Sequence, residues 1–370
     1  MLLLRSNFVY IFAIALALFC WETAAARWFI LPGLFYSDEY GLVGSCAFIA
    51  ENLRADRLET RLEYFGNDEG QASFNLFIPR STSEWTVNAR YQISEKTAYS
   101  SITASSQDKL YGDTRYWTDL LIRCDFIREG GLFYGLQGSY QRHDFKGGCQ
   151  DALIGGFPLS EAETFEEGDE ITGSIRVGLE RRDNRYNTSR GLYVLWQLDL
   201  GVSRSTQTSR TLIRSELDLR RYIPIFSSSS VLALNLKGGV IHHQVPYFSR
   251  FKMGGSYSLR GFPLDRYSGN AYYIGRAEFR QIVKSDIPSP MQLFKAFSPD
   301  LEEYKFSVGF VLFTDFGDLW RDDLSWWGVR QNVGAGLRAI FPPNVVGSLD
   351  IATPVDSDHI AVYLNLRQSF

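Results

Sequence analysis

From about residue 40 onward, apolar and polar side chains alternate along the chain in runs of roughly ten residues. In 192–200, Leu192, Val194, Trp196, Leu198 and Leu200 fall opposite Tyr193, Gln197 and Asp199. In 211–220, Ile213, Leu217 and Leu219 oppose Arg214, Glu216, Asp218 and Arg220. In 304–315, Tyr304, Phe306, Val308, Phe310 and Leu312 oppose Lys305, Ser307, Gly309 and Asp315. In 360–370, Ile360, Val362, Leu364, Leu366 and Phe370 oppose Ala361, Tyr363, Asn365, Arg367 and Ser369. A period of two means strands with one apolar and one polar face.

A soluble sandwich also alternates, but three features favour a membrane barrel. The runs are long for a sandwich and suit strands tilted across a bilayer. Their polar face carries Arg176, Glu180, Arg182, Arg214 and Glu216, which suits a wet lumen. Aromatics gather at strand ends, as Tyr116-Trp117, Tyr272-Tyr273, Trp320 and Trp326-Trp327, where interfacial girdles form. Candidate strands are 41–53, 55–65, 70–78, 84–93, 97–104, 115–128, 131–143, 169–182, 190–203, 208–222, 230–244, 270–283, 304–316, 330–341, 345–353 and 359–370. The expected fold is therefore all-β: a 16-stranded antiparallel transmembrane β-barrel. Three long connections, 144–168, 245–269 and the proline-bearing 284–303, are expected outside the cell.

Residues 1–26 read as a secretory signal. Arg5 supplies the charge, Ile11 to Phe19 the apolar run, and Ala24-Ala25-Ala26 the cleavage site. Two segments are expected, the signal at 1–26 and the barrel at 27–370, with no room for a separate periplasmic domain. Composition narrows the class further. The chain has 370 residues, 15% of them aromatic, and a net charge of −4. That balance lacks the basic stripe of a nucleic-acid protein. It is too apolar for a disordered chain. Cleavage after Ala26 would leave Cys46, Cys124 and Cys149, with neither a C-x-x-C pair nor a Cys/His cluster. No zinc site, other metal or cofactor is implied. His242-His243 lack partners at ligand spacing, and G-G-S-Y-S at 254–258 is not a nucleophile elbow, so no enzyme is expected.

The long connection 245–269 contains M-G-G-S-Y-S-L-R-G-F at 253–262. Glycine there permits a folded-back path, and Arg260 offers a charged fork for carboxylates. The run G-R-A-E-F-R at 275–280 sets Glu278 on the face of Arg276 and Arg280, and F-T-D-F-G at 313–317 turns Asp315 to the polar face. With these motifs the chain resembles the BamA/TamA and two-partner-secretion transporter superfamily, also called the bacterial surface antigen family. Its signature is an R-G-F/Y tip on the sixth external loop and an F-x-D-x-G segment on a later strand. D-N-R-Y-N-T-S-R-G at 183–191, L-P-G-L-F-Y-S-D-E-Y-G-L at 31–42, G-A-G-L-R at 334–338 and the terminal Phe370 fit the same pattern in order. The family's usual periplasmic POTRA modules find no counterpart, and Leu259-Arg260 stands where Val/Ile-Arg is commoner.

The resemblance implies a site made of Arg260, Gly261, Phe262, Glu278, Asp315 and Gly317, with the loop folded into the lumen and locked there by an ion pair. It implies that Phe370 is an assembly signal read by the envelope machinery. It also implies residence in the bacterial outer membrane, among lipids, client outer-membrane or secreted proteins and a separate periplasmic partner. Neither nucleic acid nor a small-molecule substrate is implied. The implied activity is outer-membrane protein assembly or translocation through a lateral seam between the first and last strands. Gly41, Gly44 and Ser45 weaken packing there. The alternative is a passive pore or channel, or a structural surface protein. Asp183, Arg185 and Asn187 read as turn chemistry rather than a binding site.

Overall fold

The computed structural model describes residues 27–37, 41–51, 57–66, 69–99, 109–146, 167–185, 187–206, 208–227, 229–288, 305–320, 328–341, 345–356, 359–365 and 370. Residues 1–26, the greater part of 144–168 and of 284–303, Trp326-Trp327 and Leu366 lie outside them.

The described chain is almost entirely strand. In order come β1 (Arg27–Ser37), β2 (Gly41–Glu51), β3 (Arg57–Gly66), β4 (Glu69–Pro79), β5 (Ser83–Tyr99), β6 (Lys109–Ile127), β7 (Leu132–Lys146), β8 (Gly168–Glu180) and β9 (Gly191–Ser205). There follow β10 (Ser209–Pro224), β11 (Ser230–Ile241), the short β12 (Phe251–Met253) and β13 (Tyr267–Gly269), β14 (Ala271–Pro288), β15 (Lys305–Trp320), β16 (Arg330–Phe341), β17 (Val345–Pro354) and β18 (Ala361–Asn365). All but β12 and β13 form one large antiparallel sheet in which each strand pairs with the next. β11 passes to β14 across the β12–β13 hairpin, and β1 meets β18 at Ser37↔Tyr363. Among the described residues no helix is long and apolar enough to cross a membrane.

The alternation sorts the two faces. On β8, Ile171, Ile175 and Val177 are exposed outside, while Glu170, Thr172, Ser174 and Arg176 are buried inside. On β10, Leu217 faces out and Asp218 in. The interior is thus mostly polar, and its buried charges find partners: Arg176 pairs with Asp125 at 2.5 Å and Arg214 with Glu170 at 3.2 Å.

Three expectations are corrected. Segments 84–93 and 97–104 are not separate strands, because β5 runs unbroken to Tyr99. Its polar stretch Ser94-Glu95-Lys96 reads as a break, yet it continues in register with Arg115, Thr114 and Asp113 of β6. The first strand is β1, not 41–53. Pro32-Gly33 hides it in the sequence, but Arg27 to Ser37 pair with β2 throughout. Proline is tolerated where no ladder hydrogen bond needs its N–H, and among the described residues β1 meets β18 at Ser37↔Tyr363. The third correction concerns 284–303. Strand parity sends it from the same end as the short turns 80–82, 128–131 and 225–229, opposite the other two long connections.

Candidate functional site: the inward-folded loop and its arginine

The chain between β11 and β14 turns back into the interior rather than standing outside. Gly254 has φ +122° and Gly261 φ +84°, backbone that a side chain rarely adopts. A Cβ at Gly254 would lie 2.0 Å from the Pro263 carbonyl, so the doubling back needs glycine there. The Gly255 N–H closes the fold by donating to the Phe262 carbonyl at 2.9 Å. The loop brings its own apolar packing. Met253, Leu259, Phe262 and Tyr267 are buried against Ile274 of β14 and Leu319 of β15.

At the tip stands Arg260, 1% exposed. Its Nε donates to Asp315 Oδ2 at 2.8 Å and its Nη2 to Asp315 Oδ1 at 2.7 Å, a two-pronged contact. Nη1 lies 2.8 Å from Glu278 Oε1 and 3.3 Å from Asp350 Oδ2. The guanidinium is also stacked 3.5 Å from the centre of the Phe313 ring. Burial works against its charge, but attraction from Asp315 and Glu278 outweighs this and holds its pKa above the usual arginine value. The tip backbone is fixed as well. The Arg260 carbonyl accepts from Asn332 Nδ2, and the Gly261 N–H donates to the Tyr363 hydroxyl at 3.0 Å.

The wall is shaped for this arrangement. Asp315, Asn332, Asp350 and Tyr363 come from β15, β16, β17 and β18, so the tip spans four neighbouring strands. Asn332 Nδ2 also donates to Asp315 Oδ2 at 2.9 Å, which orients the carboxylate. Gly334 leaves room for the Phe313 ring, 2.2 Å from where a Cβ would stand, and Gly336 does the same for the Asp350 carboxylate at 2.0 Å. The carboxylates are shared with fixed cations. Arg280 holds Glu278 at 2.8 Å, and Arg338 holds Asp350 at 2.5 Å.

The structure therefore brings Arg260, Glu278 and Asp315 together. Phe262 and Gly317 lie beside them: Phe262 packs edge-on to Tyr267, and Gly317 faces the Met253 methyl and the Tyr273 carbonyl. Sequence reasoning missed Asp350, Asn332, Tyr363 and Phe313; inward parity on 345–353 was the one available signal for Asp350. It also missed a second anchor near the loop's start. There Arg214 donates to the Ser249 carbonyl at 2.9 Å, Ser203 and Ser249 share a hydrogen bond, and His143 stacks 4.9 Å from Phe248.

Phe370 is a further correction. Parity puts it in the outward row of 360–370, but its ring lies 5.2 Å from Arg276 and 5.1 Å from Arg280, near Tyr222 on the inner side. Val362 and Leu364 hold the outward row on β18, and Phe370, separated from them by residues that lie outside those described, departs from it. Turn 181–190 is held locally. Asp183 accepts from the N–H groups of Asn184, Ser189 and Arg190 and from the Ser189 hydroxyl, while Arg185 reaches Glu84 at 2.7 Å.

A large antiparallel sheet with an apolar outside, a charged inside and a loop tied into that interior defines an outer-membrane β-barrel protein. The model of the Omp85 superfamily domain matches residues 44–359, and the chain belongs to that superfamily. Its place is the outer membrane of Gram-negative bacteria. Among solved structures it is similar to BamA from Haemophilus ducreyi lacking POTRA domains 1–3, at 16% identity and a TM-score of 0.57, over 91% of this chain and 69% of that one. It is also similar to CdiB from Escherichia coli, at 14% identity and a TM-score of 0.61, over 91% of this chain and 62% of that one. CdiB from Acinetobacter baumannii gives 12% and 0.56, over 92% and 59%. No curated protein sequence matches the chain.

Proposed function

We propose that the protein assists the assembly or translocation of other envelope proteins, working as a sixteen-stranded transmembrane barrel with a plugged lumen and a lateral seam. The observation that carries this is the meeting of the chain's first and last strands beside a lumen that holds a seated loop. β1 pairs with β2 along its whole length and meets β18 at Ser37↔Tyr363. Parting of that junction would leave N–H and C=O groups able to pair with an incoming client strand. The seated loop meanwhile fills the route straight through the lumen, which disfavours a passive pore.

In this reading residues 1–26 export the chain and 27–370 form the barrel. Arg260, Glu278 and Asp315 lock the loop, with Gly261, Phe262 and Gly317 shaping its seat, and Phe370 serves as the terminal assembly signal. The partners are outer-membrane lipids, client chains and a separate periplasmic protein that delivers them.

The test is a reversible tether across the seam. Ser37→Cys with Tyr363→Cys should form a disulfide, since paired strands bring Cα atoms within bridging distance. Tyr363→Cys alone controls for the missing hydroxyl. Oxidised cells should lose outer-membrane or secreted clients from the envelope proteome, and reductant should restore them. An unchanged proteome under oxidation would rule out the seam, and a steady open conductance of the native barrel in a planar bilayer would favour a passive pore.

A further inference from the structure

At the end of the sheet that carries the short turns, β8, β9 and β10 finish around a depression of about 520 Å³. Its charged lining is Arg181, Arg182, Arg190, Arg221 and one carboxylate, Asp183. Two of these groups are already committed. Arg182 turns inward to Glu180, its Nε donating to Oε1 at 2.8 Å, and the Asp183 oxygens are filled by the donors of their own turn. Arg181 spends its Nε on the Gly130 carbonyl at 2.6 Å and meets no acid among the described residues. Among the described residues the side chains of Arg190 and Arg221 have neither a hydrogen-bond nor an ion-pair partner. Arg181, Arg190 and Arg221 are all exposed.

Strand geometry sets these three on one face, Arg181 and Arg221 at one level and Arg190 one row nearer the turn. Tyr222 and Asp218 point inward and are buried, so Arg221 points outward. Arg221 is opposite Leu192, and the Arg181 N–H donates to the Leu192 carbonyl at 2.9 Å. Just beyond this row, away from the turns, the outward positions become apolar: Val177 and Leu179 on β8, Val194 on β9, Leu217 and Leu219 on β10. Cations thus stand at the foot of the strip that hydrocarbon covers.

We propose that Arg181, Arg190 and Arg221 bind the phosphodiester headgroup of a phospholipid, whose acyl chains then run along the apolar strip. Short turns face the periplasm in such barrels, so the lipid belongs to the periplasmic leaflet. Guanidinium forks suit phosphate oxygens and hold them in a fixed direction. A lipid fits better than an acidic protein because the row faces outward and borders apolar surface, not the lumen. This site stands apart from client handling and rests only on the outer-membrane placement.

The experiment is native mass spectrometry of the full chain in non-ionic detergent, titrated with phosphatidylglycerol. Arg190→Gln with Arg221→Gln should weaken lipid retention on the order of tenfold for each charge-assisted hydrogen bond removed. Arg190→Lys with Arg221→Lys should fall between, because charge is kept and the fork is gone; it also provides a charged comparison should the Gln pair fold poorly. Arg210→Gln removes a charge at the opposite end of β10 and should leave retention unchanged. Equal retention in the Gln pair would overturn the proposal, as would an equal reduction in Arg210→Gln. Displacement by millimolar inorganic phosphate would make this a free-anion site instead. Tighter binding of a poly-glutamate peptide than of the lipid would make it a protein-docking site. Either outcome would end the lipid assignment.

Discussion

The wall that receives Arg260 and the junction between β1 and β18 lie side by side, and Tyr363 belongs to both. On the wall, β14, β15 and β17 bring carboxylates to one guanidinium, and every charged partner is almost fully buried. At the junction Ser37↔Tyr363 joins the first strand to the last, and each of these pairs on its far side with its neighbour in sequence. Hydrogen-bonded strands were available in both places, so local β propensity does not separate them. Side chains do. The wall has inward glycines that admit a ring and a carboxylate, and charges that must be matched once water is excluded. In the proposed function, this anchoring would keep the loop seated while the neighbouring junction parts.

The largest effect should come from breaking the lock, and it should be unequal. Arg260→Ala leaves Asp315 with the Asn332 amide and the attraction of Arg276 opposite it on β14 but no ion-pair contact among the described residues, whereas Glu278 and Asp350 retain Arg280 and Arg338. Removing one partner of a buried pair costs about 3–5 kcal/mol. Asp315→Ala should cost less, because Arg260 still meets Glu278 and Asp350. Urea unfolding of both single variants and the double, with proteolysis of the loop, would show this order; additive losses would mean that the two groups act apart. Arg260→Lys should rescue in part.

The next effect tests the membrane face. Leu312 lies mid-strand on β15 and points outward, so Leu312→Arg should destabilise the folded barrel by about 2–4 kcal/mol and lower its refolding yield. Phe306 sits next to the first residue of β15, near the strand's end, so Phe306→Arg should cost only about 0–1 kcal/mol. Lys305→Ala should be neutral. Equal costs at 306 and 312 would contradict the placement of the bilayer.

A smaller difference sharpens the seam. Amide exchange in micelles should be faster across β18 (Ala361–Asn365), which borders the proposed seam, than across Asn332–Arg338 of β16, two strands away from it. Comparable protection would show that the seam is no weaker than the wall.

The smallest effect lies in turn 181–190. Burial alone would raise the Asp183 pKa, but donors from Ser189, Arg190 and Asn184 hold it below the usual aspartate value. A depressed pKa stabilises the turn at pH above the unfolded carboxylate value, about 4, and that stability disappears as pH falls through the folded value. The Ser189 and Arg190 amides, corrected for intrinsic rate, should lose protection below about pH 4, and in Asp183→Ala at neutral pH.

What the sequence determined by itself follows from period two. Side-chain parity assigned Trp196 and Leu217 outward, Asp315 and Glu278 inward, and no later contact could reverse that without shifting a whole strand. Glycine next to arginine at 260–261 likewise carried the loop's turning back, because only a residue without Cβ takes that path freely. Parity says nothing of strand ends. Pro32 hides β1, a polar stretch splits β5, and Phe370 lies on the side opposite to the one that parity gives it. Only the tertiary structure decided those, together with Asn332, Asp350 and Tyr363 around the loop tip and the arginine row across β8 to β10. Each depends on which strands lie beside one another and in what register, and that neighbourhood is created by hydrogen bonds between segments far apart in the chain.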